Sequence, residues 1–209
     1  AFVFFFQMLY PFRAVNDDRA ATAGAAGGCV LLRRDALVRA GGLAAIKGSL
    51  IDDCALAKAI KTTGGRLWLG LGENSHSLRA ADGLGALWAM VRRSAFTQLH
   101  HSYAVLLGTS IGLLLIFVAP PLLFLTCYWH SQVPAAAMAG AAWALMGLAY
   151  QPTLRAYDLP AWVGFTLPIT AALYGAMTVD SGLAYWRGQG GAWKGRHYDS
   201  LATPPDIHK

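Results

Sequence analysis

From Ser94 to Leu154 this 209-residue chain contains no Asp, Glu, Lys or Arg, and a second charge-free stretch runs from Leu159 to Val179. Only 13% of all residues are charged, where a soluble domain carries about 25%. A water-facing surface cannot be built from such segments, because nearly every face would be apolar. Cysteine is equally sparse. Cys29, Cys54 and Cys127 form no CxxC pair, so neither a disulfide framework nor a zinc knuckle follows, and reduced thiols facing the cytosol are expected. The six histidines (76, 100, 101, 130, 197, 208) offer no H-x-x-x-H or H-E-x-x-H spacing, which removes the usual basis for a protein-built metal site. The G-x-S-x-G elbow of a hydrolase is missing. So are the basic n-region and small-residue cleavage site of a signal peptide: the apolar opening AFVFFFQMLYPF starts at Ala1, not Met.

What charge there is gathers early. Residues 1–103 hold 12 Lys+Arg and 7 Asp+Glu, against 5 and 4 in residues 104–209. Scattered as they are, these charges make no basic patch interleaved with aromatics, so nucleic acid is not an expected partner. A basic region lying against anionic headgroups explains them more simply. The chain reads as a multi-span membrane protein with a polar first half.

Residues 1–103 read as mixed α/β. The opening run is shorter than the roughly 20 residues of a span and is expected to form an interfacial or groove-forming helix. Cys29–Leu32 suit a buried strand, and Arg34–Ala40 a short helix closed by Gly41-Gly42. A second helix starts at Asp52, with both acids in its first turn, and carries an apolar stripe of Ala55, Leu56, Ala59 and Ile60 up to Gly64-Gly65. RLWLGL (Arg66–Leu71) reads as a strand. Gly83–His101 reads as an amphipathic helix in the membrane interface. Residues 104–183 hold about three spans (104–127, 133–150 and 159–179), edged by Tyr and Trp, and 184–209 form a polar, basic tail. Pro120-Pro121 should kink or break the first span, and Pro168 should bend the third. Small residues across 133–149 suit either close helix packing or lipid-compatible filler. Three spans put the first half and the tail on opposite sides, whereas Arg92 and Arg93 at one end and Arg187, Lys194 and Arg196 at the other ask for the same side. A re-entrant hairpin at Pro120-Pro121 restores parity.

Chemistry concentrates in GSLIDDCALAKAIKTTGG. Adjacent carboxylates repel, which calls for a partner or a retained proton. A carboxylate at a turn-to-helix junction is placed to take a proton from a hydroxyl, yet Asp is also a preferred helix cap. Both readings of Asp52-Asp53 stand on the residues alone.

The run GGCVLLRRDALVRAGGL, then a glycine turn, Asp-Asp-x-x-Leu and a Gly-Gly-Arg segment, resembles the second half of a family 2, GT-A-type membrane glycosyltransferase. LIDDCALA, GGRLWLGL and RRSAFTQL are most similar to the hopene-associated glycosyltransferases of hopanoid gene clusters, and more distantly to ceramide glucosyltransferases. The resemblance covers essentially the whole chain. It implies that Asp53 is the general base and that Asp52 shapes the acceptor site. It further implies that Gly27 and Gly28 let backbone approach a substrate, and that Arg33 and Arg34 are paired basic residues, for which an ion pair with Asp35 is the plainer role. Arg92 and Arg93 stand where many relatives carry Gln-x-x-Arg-Trp, a motif this chain lacks; either could neutralise a leaving diphosphate. Nothing in residues 1–51 resembles the family's nucleotide-binding strands and Asp-x-Asp metal site, and Asp17-Asp18 read as turn residues. The chain is therefore expected to be a C-terminal part, inactive alone.

The expected fold is a partial α/β, GT-A-like catalytic half joined to α-helical spans with interface helices. The expected function is inverting transfer of a sugar from a nucleotide-diphosphate donor to a lipid hydroxyl, on a hopanoid-related acceptor if the resemblance holds that far. The resemblance also implies a divalent cation (Mg or Mn) bound mostly outside this chain, and a bacterial cytoplasmic membrane with the catalytic part facing the cytosol. Trp193-Lys194-Gly195-Arg196 is expected to touch either the catalytic part or the membrane surface. The competing class is a non-catalytic membrane anchor or scaffold.

Overall fold

The computed structural model describes residues 2–72, 83–193 and 196–197, with backbone alone at His130, Ala192, Trp193, Arg196 and His197. The polar first half is helical where glycine and acid placement predict helices. Helix α1 spans Phe2–Leu9 and α2 spans Phe12–Asn16, separated by Tyr10-Pro11. α3 covers Arg34–Arg39 and stops at Gly41, whose φ of 86° is the left-handed conformation that ends a helix. α4 covers Asp52–Thr62 and buries Ala57 and Ile60. Lys61 ties it to the preceding loops, its Nζ donating to the carbonyls of Val15 (2.9 Å) and Thr22 (2.7 Å).

The expected α/β half is not what forms. Among the described residues the only strands are two-residue pieces, Ala192–Trp193 (β1) antiparallel to Arg196–His197 (β2). Lys194, Gly195 and residues 198–209 of the expected tail lie outside the described residues. Cys29–Leu32 and Arg66–Leu71 carry strand-like sequence but lack a neighbour to pair with, and a strand without a ladder leaves its amides to water. Leu31 is fully exposed and Trp68 is 79% exposed, while Leu32, Leu67 and Leu69 are only half-buried. A single side chain imitates a ladder at Leu69: Asn16 Oδ1 accepts from Leu69 N at 2.6 Å, and Asn16 Nδ2 donates to Leu69 O at 3.0 Å.

The apolar half supplies the core. α5 (Gly83–Gln98) leads into α6 (Tyr103–Leu113), a π-helical turn (Leu114–Val118) and α7 (Ala119–Leu125), then α8 (Cys127–His130), α9 (Val133–Ala156), a 3-10 helix (Ala161–Thr166) and α10 (Leu167–Trp186). Three helical stretches are long and apolar enough to cross a membrane: Tyr103–Leu125, Val133–Ala156 and Ala161–Trp186. Leucines such as Leu107, Leu115, Leu145 and Leu148 point outward, each more than 60% exposed. In water each would forgo about 1.5–3 kcal/mol of burial; against lipid tails they forgo nothing.

Pro120-Pro121 neither break the first stretch nor turn it into a hairpin. The wider π-helical turn before them absorbs the missing amides, and the backbone stays right-handed helical at Leu113, Leu114, Val118 and Ala119. Pro168 sits in the first turn of α10, where proline is tolerated, so it does not bend the helix. α9 likewise continues through Pro152.

The start of α6 meets the end of α10, with Tyr103 Oη donating to Gly182 O at 3.5 Å and Leu106 in contact with Gly182. The two ends of the apolar half thus lie against each other. The chain reverses after α9 at Asp158, which takes a left-handed φ of 51°, and the 3-10 helix runs back along α9. Gln151 Nε2 donates to Ala161 O at 3.1 Å, Gly147 faces Gly164, and Trp143 Nε1 donates to Phe165 O at 3.2 Å. A Cβ on Gly164 would lie 2.9 Å from Gly147 O and 3.1 Å from Gly147 Cα. Backbone cannot step aside as a side chain can, so Gly164→Ala is expected to destabilise the protein by about 1–3 kcal/mol. Thermal unfolding in detergent reads this as a lower Tm; an unchanged Tm would show that the close approach is dispensable.

α5 does not lie alone in an interface. It packs along α10, burying Val91 and Ala95 against Met177 and Phe96 beside Leu99 and Leu106. α1 enters the bundle as well: Phe5 stacks on Tyr174 with ring centroids 4.8 Å apart, and Phe4 meets Tyr150 edge-on at 5.1 Å.

Candidate functional site

Ile51 holds the N-cap position of α4 and makes no side-chain cap bond, so Asp52 and Asp53 are the first two helical residues. Asp52 is exposed; its Oδ1 accepts from Asp53 N at 3.0 Å. Asp53 is half-buried and held at both oxygens, Oδ2 accepting from Gly27 N and Oδ1 from Cys54 N, each at 2.7 Å. Two N–H donors orient the carboxylate while leaving it lone pairs for a further proton donor.

Gly27 is a position of close approach. A Cβ there would sit 3.1 Å from Asp53 Oδ2, so glycine lets the loop backbone reach the carboxylate. Gly28 has open space around it.

Asp52 and Asp53 border a cavity of about 320 Å³, near the lower bound for small-molecule sites. Its walls come from α1 (Phe2, Phe6, Met8), from α5 (Arg93, Ser94, Gln98), and from the apolar helices (Thr109, Leu113, Tyr174, Thr178). Leu113 lies ten residues into α6, about 15 Å of helix rise from Tyr103. One space therefore joins a carboxylate to the interior of the apolar bundle.

Tyr10 crosses between two of these walls: its hydroxyl donates to Gln98 Oε1 at 2.7 Å. Burial, aided by the neighbouring Cys54, raises the phenol pKa well above its ordinary value, so Tyr10 stays neutral and acts as a donor. Burial also pushes the Cys54 thiol up, although Sγ donates weakly to Ala25 O at 3.6 Å. Maleimide attacks the thiolate. Cys54 is therefore expected to label more slowly at pH 7.5 than a free cysteine in the same buffer, with its rate still rising past the ordinary thiol pKa of about 8.5. Mass spectrometry of peptides from a labelling time course measures this, and equal rates would show that the thiol is not shielded.

The two α5 arginines part company. Arg93 lines the cavity, where burial lowers its pKa without bringing it near neutrality. Arg92 turns away to Asp180 on α10, with 3.2 Å between Arg92 Nε and Asp180 Oδ2. Arg33 is exposed and bonded to Asp35 at 3.0 Å, and Arg39 reaches the same carboxylate at 3.0 Å. These two guanidiniums hold the Asp35 carboxyl down to about 2. Arg34 is exposed at the first turn of α3. Neither Arg33 nor Arg34 borders the cavity. Among the described residues no three His, Cys, Asp or Glu side chains come together.

Tyr10, Gln98 and Asp180 were not singled out by sequence. A tyrosine before proline at the end of an aromatic run reads as packing. Asp180 stands one residue beyond the charge-free stretch, so the expected span stopped short of it; an acid on an otherwise apolar helix is the signal that marks such a residue.

The family model described as glycosyl transferase family 21 matches residues 4–199. No curated protein and no solved structure matches the chain.

Proposed function

The chain belongs to glycosyl transferase family 21, and on that premise we propose that it serves a membrane-bound, inverting transfer of a sugar from a nucleotide-diphosphate donor to a lipid hydroxyl. The family matched is family 21, where the sequence motifs resemble family 2; the chemistry proposed is common to both readings. One observation carries the lipid acceptor: the cavity that Asp53 borders is continuous with walls formed by α6 and α10. A lipid whose tail stays among these helices brings its hydroxyl to the carboxylate without leaving the bilayer.

In this mechanism Asp53 takes the acceptor proton as the acceptor oxygen attacks the anomeric carbon from the face opposite the diphosphate. Gly27 and Cys54 amides keep the carboxylate aimed. Arg93 meets the negative charge that gathers on the departing diphosphate. Apolar walls exclude water, which would otherwise compete as acceptor. The acceptor's finer identity, hopanoid-related or another lipid, the cytosolic orientation and the bacterial membrane remain parts of the proposal that rest on resemblance.

The test is transfer of labelled sugar by membranes containing the full-length gene product, supplied with a panel of nucleotide-sugars and divalent cations. Label is expected in the organic phase after solvent extraction. Label that stays in the aqueous phase for every donor overturns the lipid acceptor.

A further inference from the structure

Asp180 is the sole acid between Asp158 and Asp199, and two α5 side chains one helical turn apart converge on it. Trp88 Nε1 donates to Asp180 Oδ2 at 2.8 Å, and Arg92 Nε lies 3.2 Å from the same oxygen. The Arg92 contact is an attraction of charges: its buried Nε has no hydrogen-bond partner. A carboxylate on an apolar helix is expensive and calls for a role. Here it draws one face of α5 onto α10.

The same face carries other contacts. Val91 and Ala95 pack on Met177, and Phe96 N donates to Ser181 Oγ at 3.0 Å. Packing of aliphatic side chains is non-directional and tolerates small slides, whereas a bond from an indole N–H to one carboxylate oxygen does not. Successive helical residues point about 100° apart. Anchoring Arg92 therefore fixes the direction of Arg93, and with it that of Gln98, on the cavity side.

We propose that Asp180 is a positioning residue for the transfer site: by holding Trp88 and Arg92 it sets the rotation of α5 about its own axis, and so the place from which Arg93 and Gln98 face Asp53. This rests on the reading of Asp53 and Arg93 given above. Asp180 touches neither substrate; it acts through α5.

The experiment compares Asp180→Glu, Asp180→Asn, Asp180→Leu and the exchange Asp180→Arg with Arg92→Asp, beside wild type and Asp53→Asn, all in membranes and at full length. Asp180→Glu keeps charge and acceptor, and is expected within about threefold of wild-type kcat. Asp180→Asn still accepts from Trp88 but offers Arg92 no charge; its kcat is expected to fall about tenfold, with donor and acceptor KM within about twofold, because ångström-scale misplacement acts on the transition state. The exchange restores the ion pair but gives the Trp88 indole no acceptor, so it is expected to recover only part of the loss seen in Asp180→Leu. Wild-type kcat in both Asp180→Asn and Asp180→Leu, while Asp53→Asn is inactive, overturns the positioning role and leaves the transfer reading intact. Losses that simply follow thermal stability across the series, with Asp180→Glu no closer to wild-type kcat than its Tm accounts for, reduce Asp180 to a structural residue and overturn it equally. An inactive wild type overturns the transfer reading and this inference with it.

Discussion

Replacing Asp53 by Asn is expected to lower kcat for sugar transfer by about 10²–10⁴, the range for removal of a general base, while acceptor KM stays within about twofold. The substitution separates chemistry from folding because little else changes. Asn has the size of Asp, and its side-chain oxygen still accepts one of the two amides, Gly27 N or Cys54 N, that now hold the carboxylate at 2.7 Å. Losing a negative charge in the first turn of α4 costs about 0.3–1 kcal/mol through the helix dipole, a modest shift in Tm set against a collapse in rate. Asp52→Asn serves as the control. That residue is exposed and accepts only from the amide of Asp53, so its replacement is expected to reduce kcat less than tenfold. The reverse pattern, a dead Asp52→Asn beside an active Asp53→Asn, would falsify the assignment and move the base to the exposed acid.

The helices of the first half were legible because their signals are local. Two acids opening α4 and a glycine pair closing it mark a helix whatever surrounds it, and α3 stops at Gly41 for the same reason. A strand has no such independence. Arg66–Leu71 has the composition of one, but composition does not supply a partner strand; what reaches it is the Asn16 amide at Leu69 and the Asp18 carboxylate at Arg66. The course of the apolar half was hidden for a related reason. Hydropathy shows that Val133–Ala156 can cross a membrane but not where the next segment goes. The reversal at Asp158 and the return of Gly164 onto Gly147 depend on contacts between distant residues. A proline pair drew attention to residues 120–121, yet the turnabout uses an aspartate in a left-handed conformation.

At the site, motif and geometry divide the labour. Asp52, Asp53 and Arg93 stood out in the sequence, and all three border one cavity. Charge alone could not rank the arginines, since Arg33, Arg34, Arg92 and Arg93 are equally basic on paper. Their surroundings rank them: Arg33 is bonded to Asp35, Arg92 faces Asp180, and Arg93 faces the cavity. The aromatic opening run, expected as an interfacial or groove-forming helix, stacks Phe5 on Tyr174, and α1 forms a wall of that cavity.

Arg93→Ala is the second change expected to have a large effect. As the bond from the anomeric carbon to the diphosphate breaks, charge collects on phosphate oxygens, and a fixed guanidinium beside them stabilises the transition state more than the ground state. Removing one such preorganised group commonly costs about 10²–10³ in kcat. That loss is expected here, with acceptor KM changed far less, because the acceptor's apolar contacts remain. Arg93→Lys keeps the charge but loses the planar pair of donors suited to phosphate, so it is expected to recover only part of the rate. Because Arg93 is partly buried, its effect should persist at salt concentrations that screen exposed charges; kcat of wild type and Arg93→Ala at low and at high ionic strength measures this. Arg92→Ala acts on the same helix from the face turned to α10, about 100° away, and it should resemble the milder Asp180→Asn rather than Arg93→Ala. Equal and severe losses at both arginines would mean that α5 as a whole had come away from α10, and the diphosphate contact would have to be assigned to another cation.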